Sequence, residues 1–149
     1  VEARGLIEEA LAMRRKLNGP EHPDIARLLC NLGDVLVNAG ELALAEPPLL
    51  EAEAMQRKLL SPTHAHLART LYSLGDLAER AGHATEAAAY MRESLVIRRK
   101  ALGDSNSDTR DAATRLAEML VACGDADGAR DLRLELGIAQ PAQAAAAEH

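Results

Sequence analysis

The sequence predicts an all-α protein built as an array of antiparallel helical hairpins, and three observations carry that expectation. The first is an internal repeat. Residues 17–58 laid over residues 59–100 are identical at 15 of 42 positions, among them Pro20 and Pro62, His22 and His64, Ala26-Arg27 and Ala68-Arg69, Leu32-Gly33-Asp34 and Leu74-Gly75-Asp76, Glu51 and Glu93, and Arg57-Lys58 and Arg99-Lys100. Unrelated segments of ordinary composition would agree at roughly three or four. A repeat of this length marks supersecondary units that bury their apolar faces on one another. The second is the scarcity of aromatics: two Tyr and no Phe or Trp in 149 residues. The core is left to Leu, Ala, Met, Val and Ile, which suit helices, while sheets lose the residues they usually pack with. The third is a helical spacing of apolar residues broken at a fixed interval by Gly40, Gly82 and Gly124, each placed to take the left-handed conformation that ends a helix.

Taken in order, Val1 to Leu17 aligns with Thr85 to Ala101 and carries Leu6, Ile7, Ala10, Leu11, Met13 and Leu17 at amphipathic spacing. It is expected to be the second helix of a repeat that lacks its first, as in a fragment cut from a longer array. Asn18-Gly19-Pro20 stops it. From about Glu21 to Ala39, Ile25, Leu28, Leu29, Leu32, Val35 and Leu36 repeat on a 3.6 period. The glycines then leave turns too short for anything but an antiparallel partner. Second helices are expected near Leu42 to Leu59, Ala84 to Leu102 and Ala126 to Leu136. Pro47-Pro48 falls inside the first of these, so a lost backbone bond and a bend are expected there. The third repeat departs most, with Ala117 at the small Gly position, Arg133 where Leu49 and Met91 stand, and Gly137 ending the helix early. The resulting division is an array over 1–137, made of a lone second helix at 1–17 and hairpins at 18–58, 59–100 and 101–137, followed by a frayed or disordered tail at 138–149.

The formal net charge of −6 argues against a nucleic-acid partner, which needs a basic face to displace counterions, and against anionic membranes. No apolar run approaches the roughly 20 residues of a membrane span, and no secretory pattern opens the chain; a cytoplasmic location is expected. Cys30 and Cys123 lie in the first and third repeats, too far apart for a disulfide at helix spacings of about 8–10 Å.

The repeating small and large positions, Leu29, Leu32, Gly33, Leu36, Ala45, Leu49 and Ala52, echoed by Leu71, Leu74, Gly75, Ala78, Ala87, Met91 and Ser94, resemble the tetratricopeptide repeat. The glycines and alanines are small so that two helices approach closely while the larger residues fill the gap. The 42-residue period, with GPEHPDIA opening a repeat and SLVIRRK closing one, is similar to the kinesin-light-chain-like branch of that family. The resemblance implies a tetratricopeptide-like α-solenoid coiled as a right-handed superhelix, with first helices lining a concave groove that takes an extended peptide or a partner's helix. It implies groove positions at Arg27, Cys30, Asn31, Asp34 and Asn38, then Arg69, Tyr72, Ser73, Asp76 and Arg80, then Asp111, Thr114, Arg115 and Glu118. Asn31 matches the asparagine such families turn toward a ligand backbone, whereas Ser73 and Arg115 depart from it. Arg27 with Arg69 reads as a cationic row and Asp34 with Asp76 as an acidic row two turns further along, so the expected ligand carries one acidic end and one basic or amide-rich end.

His22, His64 and His66 near Asp24 have metal-ligand residue types, but His22 and His64 hold equivalent repeat positions at helix starts and are expected to be structural. No metal site and no cofactor are expected. The Arg-Arg-Lys runs at 14–16 and 98–100, and Arg57-Lys58, are read as cations closing helices against the negative end of the dipole. No phosphate loop, nucleophile elbow, HExxH or Cys-His pairing appears, so no enzyme is expected. Tyr72 is the one aromatic assigned to the groove, with a core position as the alternative. The function read from the sequence is a non-catalytic scaffold that binds a protein or peptide. The alternatives are a regulatory or sensor segment of a larger signalling or ATPase protein, and self-assembly through the N-terminal helix.

Overall fold

The computed structural model describes residues 2–138. Seven helices follow one another: α1 (Glu2–Asn18), α2 (Pro23–Asn38), α3 (Leu42–Leu59), α4 (Ala65–Arg80), α5 (Ala84–Leu102), α6 (Ser107–Ala122) and α7 (Ala126–Glu135), with no strand among the described residues. Each helix packs on the next in sequence, and α2 also touches α4. The first helices of successive hairpins therefore form one layer and the second helices another.

The sequence sets the ends of these helices locally. His22, His64 and Asn106 occupy the same repeat position and each caps a first helix, accepting a hydrogen bond from the backbone N–H of Asp24 (3.2 Å), His66 (3.2 Å) and Asp108 (2.9 Å). At the other end Gly40, Gly82 and Gly124 sit at φ of 77°, 83° and 85°. The residue after each donates back across the turn, Glu41 to the Leu36 carbonyl (2.9 Å), His83 to Ala78 (2.8 Å) and Asp125 to Leu120 (2.8 Å), a glycine-terminated helix end. The helix α3 runs unbroken through Pro47 and Pro48, although both lack the N–H that would bond back one turn.

Within the hairpins, Ile25, Leu29, Leu49 and Ala52, then Leu67, Leu71 and Met91, then Ala112, Leu116 and Ala117 are buried. Close approach is literal at Gly33, where a Cβ would lie 2.4 Å from Leu49 Cγ. Arg133 takes the Leu49 position and is buried to 8% exposure. Ile138 packs half-buried on the last core and its N–H donates to the Arg133 carbonyl at 2.8 Å, so the order of the chain extends one residue into the segment expected to fray; the rest of that tail, 139–149, lies outside the described residues.

In α1, Leu11 is buried and Ile7 half-buried against α2. Leu6, Met13 and Leu17 are 62%, 62% and 73% exposed. The positions equivalent to Met13 in the next two repeats, Met55 and Ile97, are buried at 7% and 5%; Ile97 is covered by Leu67, Ala68 and Leu71 of its own first helix.

The second-helix layer carries a feature that the dipole reading missed. Arg15 pairs with Glu51 (2.7 Å), Arg57 with Glu93 (2.9 Å) and Arg99 with Glu135 (2.8 Å). Each pair spans 36 residues and joins one second helix to the next, so the basic runs that close these helices also stitch consecutive repeats together.

Candidate functional site

The first helices α2 and α4, with the start of α6 and the end of α5, wall a cavity of about 530 Å³. Because first-helix positions recur every 42 residues, the same helical face contributes from each repeat. Of the residues expected in the groove, Asp34, Asn38, Arg69, Tyr72, Ser73, Asp76 and Asp111 line this cavity. The others do not. Arg27 is exposed at the rim beside Asp24 (3.9 Å), Asn31 is half-buried and Glu118 exposed outside the cavity. Arg80 reaches the cavity wall through Asp76 (2.9 Å) and the Val37 carbonyl (3.4 Å), and Arg115 through Asp76 (2.8 Å).

Cys30 corrects the groove assignment. It is 2% exposed within the core of the first hairpin, and burial pushes its thiol above the usual range, so it is packed hydrophobe and not a reactive thiolate. Both cysteines are free, Cys123 being exposed.

The separate cationic and acidic rows are also corrected. Arg69 donates to Asp34 at 2.8 Å, and the Ser73 hydroxyl donates to the other oxygen of the same carboxylate. One repeat later, Arg115 donates to Asp76 (2.8 Å) and Glu79 (2.6 Å). Of the charges expected to await a ligand, Arg69, Asp34 and Asp76 therefore pair across neighbouring first helices, and Arg27 lies beside Asp24 of its own helix. Even so, the four carboxylates that line the cavity, Asp34, Asp76, Asp108 and Asp111, outnumber its two guanidiniums, Arg69 and Arg98.

Tyr72 is half-buried at the centre. Its hydroxyl donates to Asp111 at 2.7 Å, and burial together with that carboxylate pushes its pKa up to about 12. Arg98 lies over its ring, 4.7 Å from the centroid, and donates to the Asp108 carbonyl at 2.6 Å; burial lowers the pKa of this guanidinium. The sequence reading missed Arg98, His66, Asp108 and Leu102, all of which line the cavity. The only signal for Arg98 was its place in the Arg98-Arg99-Lys100 run, which pointed outward. His64 and His66 meet edge to face at 4.9 Å, and among the described residues no cluster of His, Cys, Asp and Glu could hold a metal ion. No helix among them is long and apolar enough to cross a membrane. What the wall offers chemically is hydrogen-bond donors and acceptors around the Tyr72 ring.

Stacked helical hairpins with one layer of first helices and one of second helices define an α-solenoid. Two family models, both of the tetratricopeptide repeat, match residues 1–58 and 67–108, and the chain belongs to that family. Its fold is similar to two crystal structures of kinesin light chain nearly identical TPR-like repeats from Podosopora anserina, each 23% identical with a TM-score of 0.82, covering 91% of this chain and 64% of theirs. It is also similar to BtubC (BKLC) from P. vanneervenii, at 17% identity and a TM-score of 0.71, covering 91% of this chain and 54% of that one. The chain thus spans less than two thirds of the length of these arrays. No curated protein sequence matches it. As a tetratricopeptide array it is a protein-interaction scaffold in the general sense.

Proposed function

We propose that this chain is a non-catalytic, cytoplasmic scaffold whose groove, walled by α2, α4 and α6, binds an extended peptide or a partner helix. The observation that carries the reading is the 530 Å³ cavity into which three consecutive first helices send polar side chains around Tyr72. The net charge of −6 supports a protein partner over nucleic acid or an anionic membrane. The test compares partner capture by the wild type, by Asn38→Trp, which puts bulk on an exposed groove position, and by Arg57→Gln on the second-helix layer. Loss of the partner with Asn38→Trp alone is the expected result. Loss with Arg57→Gln alone would move the binding surface to the opposite side.

A second reading is favoured by one observation, the exposure of Leu6, Met13 and Leu17 along α1. Such a stripe seeks a protein surface, and a second copy of the chain is the candidate occupant. Sedimentation over a wide concentration range should show association that Met13→Glu removes; a strict monomer at the highest concentration would exclude it.

A further inference from the structure

A second crevice lies away from the groove, between the second helices α3 and α5 over the end of α4, and holds about 160 Å³. It shares no lining residue with the groove cavity. Its body is apolar: Leu74 and Leu77 are buried beneath it, Leu50 is 41% exposed at its edge, and the half-buried Tyr90 stands beside them. Glu46 enters from α3 and Glu86 from α5, and no lysine or arginine lines the crevice. Glu46 forms no ion pair among the described residues; Glu86 has His83 at 3.6 Å, a counter-charge only when that ring is protonated. Burial, then the charges of Glu53, Glu86 and Glu46, hold the Tyr90 hydroxyl above its ordinary pKa, so both crevice carboxylates act at the ring. Arg57 acts there with the opposite sign, but it is shared between Glu53 (2.8 Å) and Glu93 (2.9 Å).

The repeat supplies a control. The equivalent crevice between α1 and α3 is lined by two arginines and two glutamates that pair with one another, Arg4 with Glu8 at 2.9 Å and Arg15 with Glu51 at 2.7 Å. Shifted by 42 residues, Arg4 becomes Glu46, Glu8 becomes Leu50 and Leu44 becomes Glu86. Changes at three lining positions thus turn a self-neutralised crevice into an apolar one bordered by carboxylates that no lysine or arginine satisfies. Exposed carboxylates alone gain little from a cation in water, and an apolar crevice alone does not select one. Together they match a side chain with a long apolar stem and a cationic end, which buries its stem and keeps its charge at the wet edge. We infer that this crevice docks a lysine or arginine side chain of a partner protein, its stem lying over Leu74 and Leu77 and its cation between Glu46 and Glu86. The Tyr90 ring adds a face that attracts the same charge. Because the crevice and the groove share no lining residue, a chain held in the groove leaves this site open to another.

The test uses the full chain with isotope-labelled leucine methyls and four probes: the blocked tripeptides acetyl-Ala-Lys-Ala-amide, acetyl-Ala-Arg-Ala-amide and acetyl-Ala-norleucine-Ala-amide, and the hexylammonium ion. The Leu74 and Leu77 methyls should move and saturate with at least one basic tripeptide, while those of Leu32 and Leu36 in the other crevice stay still. Whichever basic tripeptide binds more tightly identifies the side chain. The norleucine tripeptide, which keeps the stem and lacks the charge, should bind about tenfold or more weakly, the usual scale for losing a charged hydrogen-bond pair. Glu46→Gln combined with Glu86→Gln alters two exposed residues, so the fold should tolerate it; it should bring the basic tripeptide down to the affinity of the norleucine one. Equal binding of basic and norleucine tripeptides, a basic tripeptide whose affinity survives the double substitution, or no saturating movement of Leu74 and Leu77 with either basic tripeptide at high millimolar concentration overturns the inference. Movement with hexylammonium and with neither basic tripeptide also overturns it, and makes the crevice a site for a free amine.

Discussion

The hairpins α2–α3 and α4–α5 are copies of one pattern, and they differ where their second helices face the preceding repeat. Between α3 and α5, Tyr90 lies half-buried over Leu74 and Leu77 and the crevice there holds about 160 Å³. Between α1 and α3 the equivalent residue is Pro48, and the crevice over Leu32 and Leu36 opens to about 380 Å³. The proline shortens the filler and also deletes a backbone donor, so one substitution loosens both packing and hydrogen bonding. The repeat tolerates this because α3 is held on its other side by Leu49, Ala52 and Met55. Exchanging the two residues gives the largest effects: Tyr90→Pro should cost about 3 kcal/mol or more, and Pro48→Tyr should recover part of that amount as added stability. Urea melts of both variants check this; if Pro48→Tyr is no more stable than the wild type, the crevice between α1 and α3 is not underfilled.

A second contrast lies inside the hairpins. Gly33 faces the branch point of Leu49, with a Cβ position 2.4 Å from Cγ, whereas Gly75 faces the mobile tip of Met91 at 3.2 Å. A branched carbon cannot move aside without shifting its helix, but a methionine methyl can. Gly33→Ala should therefore cost about 1–3 kcal/mol by overpacking, while at Gly75 the alanine's better helix propensity, worth about 0.5–1 kcal/mol, should nearly cancel a mild contact. Equal costs in thermal melts would mean that both hairpins pack with the same tolerance.

The sequence exposed the helices, their glycine ends and the structural role of His22 and His64, because each depends on contacts within a few residues. What it hid is the stagger between repeats. Aligning residues 42 apart places Arg69 beside Arg27 and Asp76 beside Asp34 as separate rows. In the folded array the contacts run from Asp34 to residues 35 and 39 further on, Arg69 and Ser73, one to two turns short of the equivalent position, so an acid of one row pairs with a base of the other, Asp34 with Arg69. The same stagger brings Tyr72 to Asp111, 39 residues on. Arg98 was hidden for a related reason: residues that end a helix look outward on a helical wheel, but the start of α6 and the ring of Tyr72 cover this one. Cys30 was misplaced because a small residue on the groove face of a helix can also be the one its neighbour buries.

Tyr72 and the equivalent Cys30 sharpen the comparison at smaller cost. Tyr72→Phe removes the bond to Asp111 and should cost about 1 kcal/mol near neutral pH. The pH dependence follows from the sign of the shift. With the folded pKa near 12 against 10.0 for an unperturbed tyrosine, the folded state holds its proton longer. Stability is therefore complete below about pH 10 and is lost as pH rises from there toward 12. In the Phe variant this alkaline loss should shrink, leaving the contribution of Tyr90, whose pKa burial also raises. An unchanged alkaline limb would mean that Tyr72 does not carry it.

The smallest expected effect tests what the two hairpins share. Arg57 and Glu93 are among the residues identical between repeats, and with Arg15–Glu51 and Arg99–Glu135 they form the only contact type that recurs three times at one spacing of 36 residues among the described ion pairs. Both Arg57 and Glu93 have side chains 44% exposed, so solvent screens the pair and a single rung should be worth about 0.2–1 kcal/mol. Glu93 is the first cause holding the Arg57 guanidinium above its ordinary pKa, and it shares that arginine with Glu53 at 2.8 Å; part of the attraction therefore survives when Glu93 is removed. A double-mutant cycle with Arg57→Gln and Glu93→Gln isolates the pair, because Glu53 stays in place in every variant. The coupling should fall within that range at low salt and fade as ionic strength shortens the Debye length below about 8 Å. If the coupling is zero at low salt, identity at these positions does not come from stitching repeats together. If it exceeds the cost of Gly33→Ala, the second-helix layer contributes more to holding the repeats in register than the close approach inside each hairpin does.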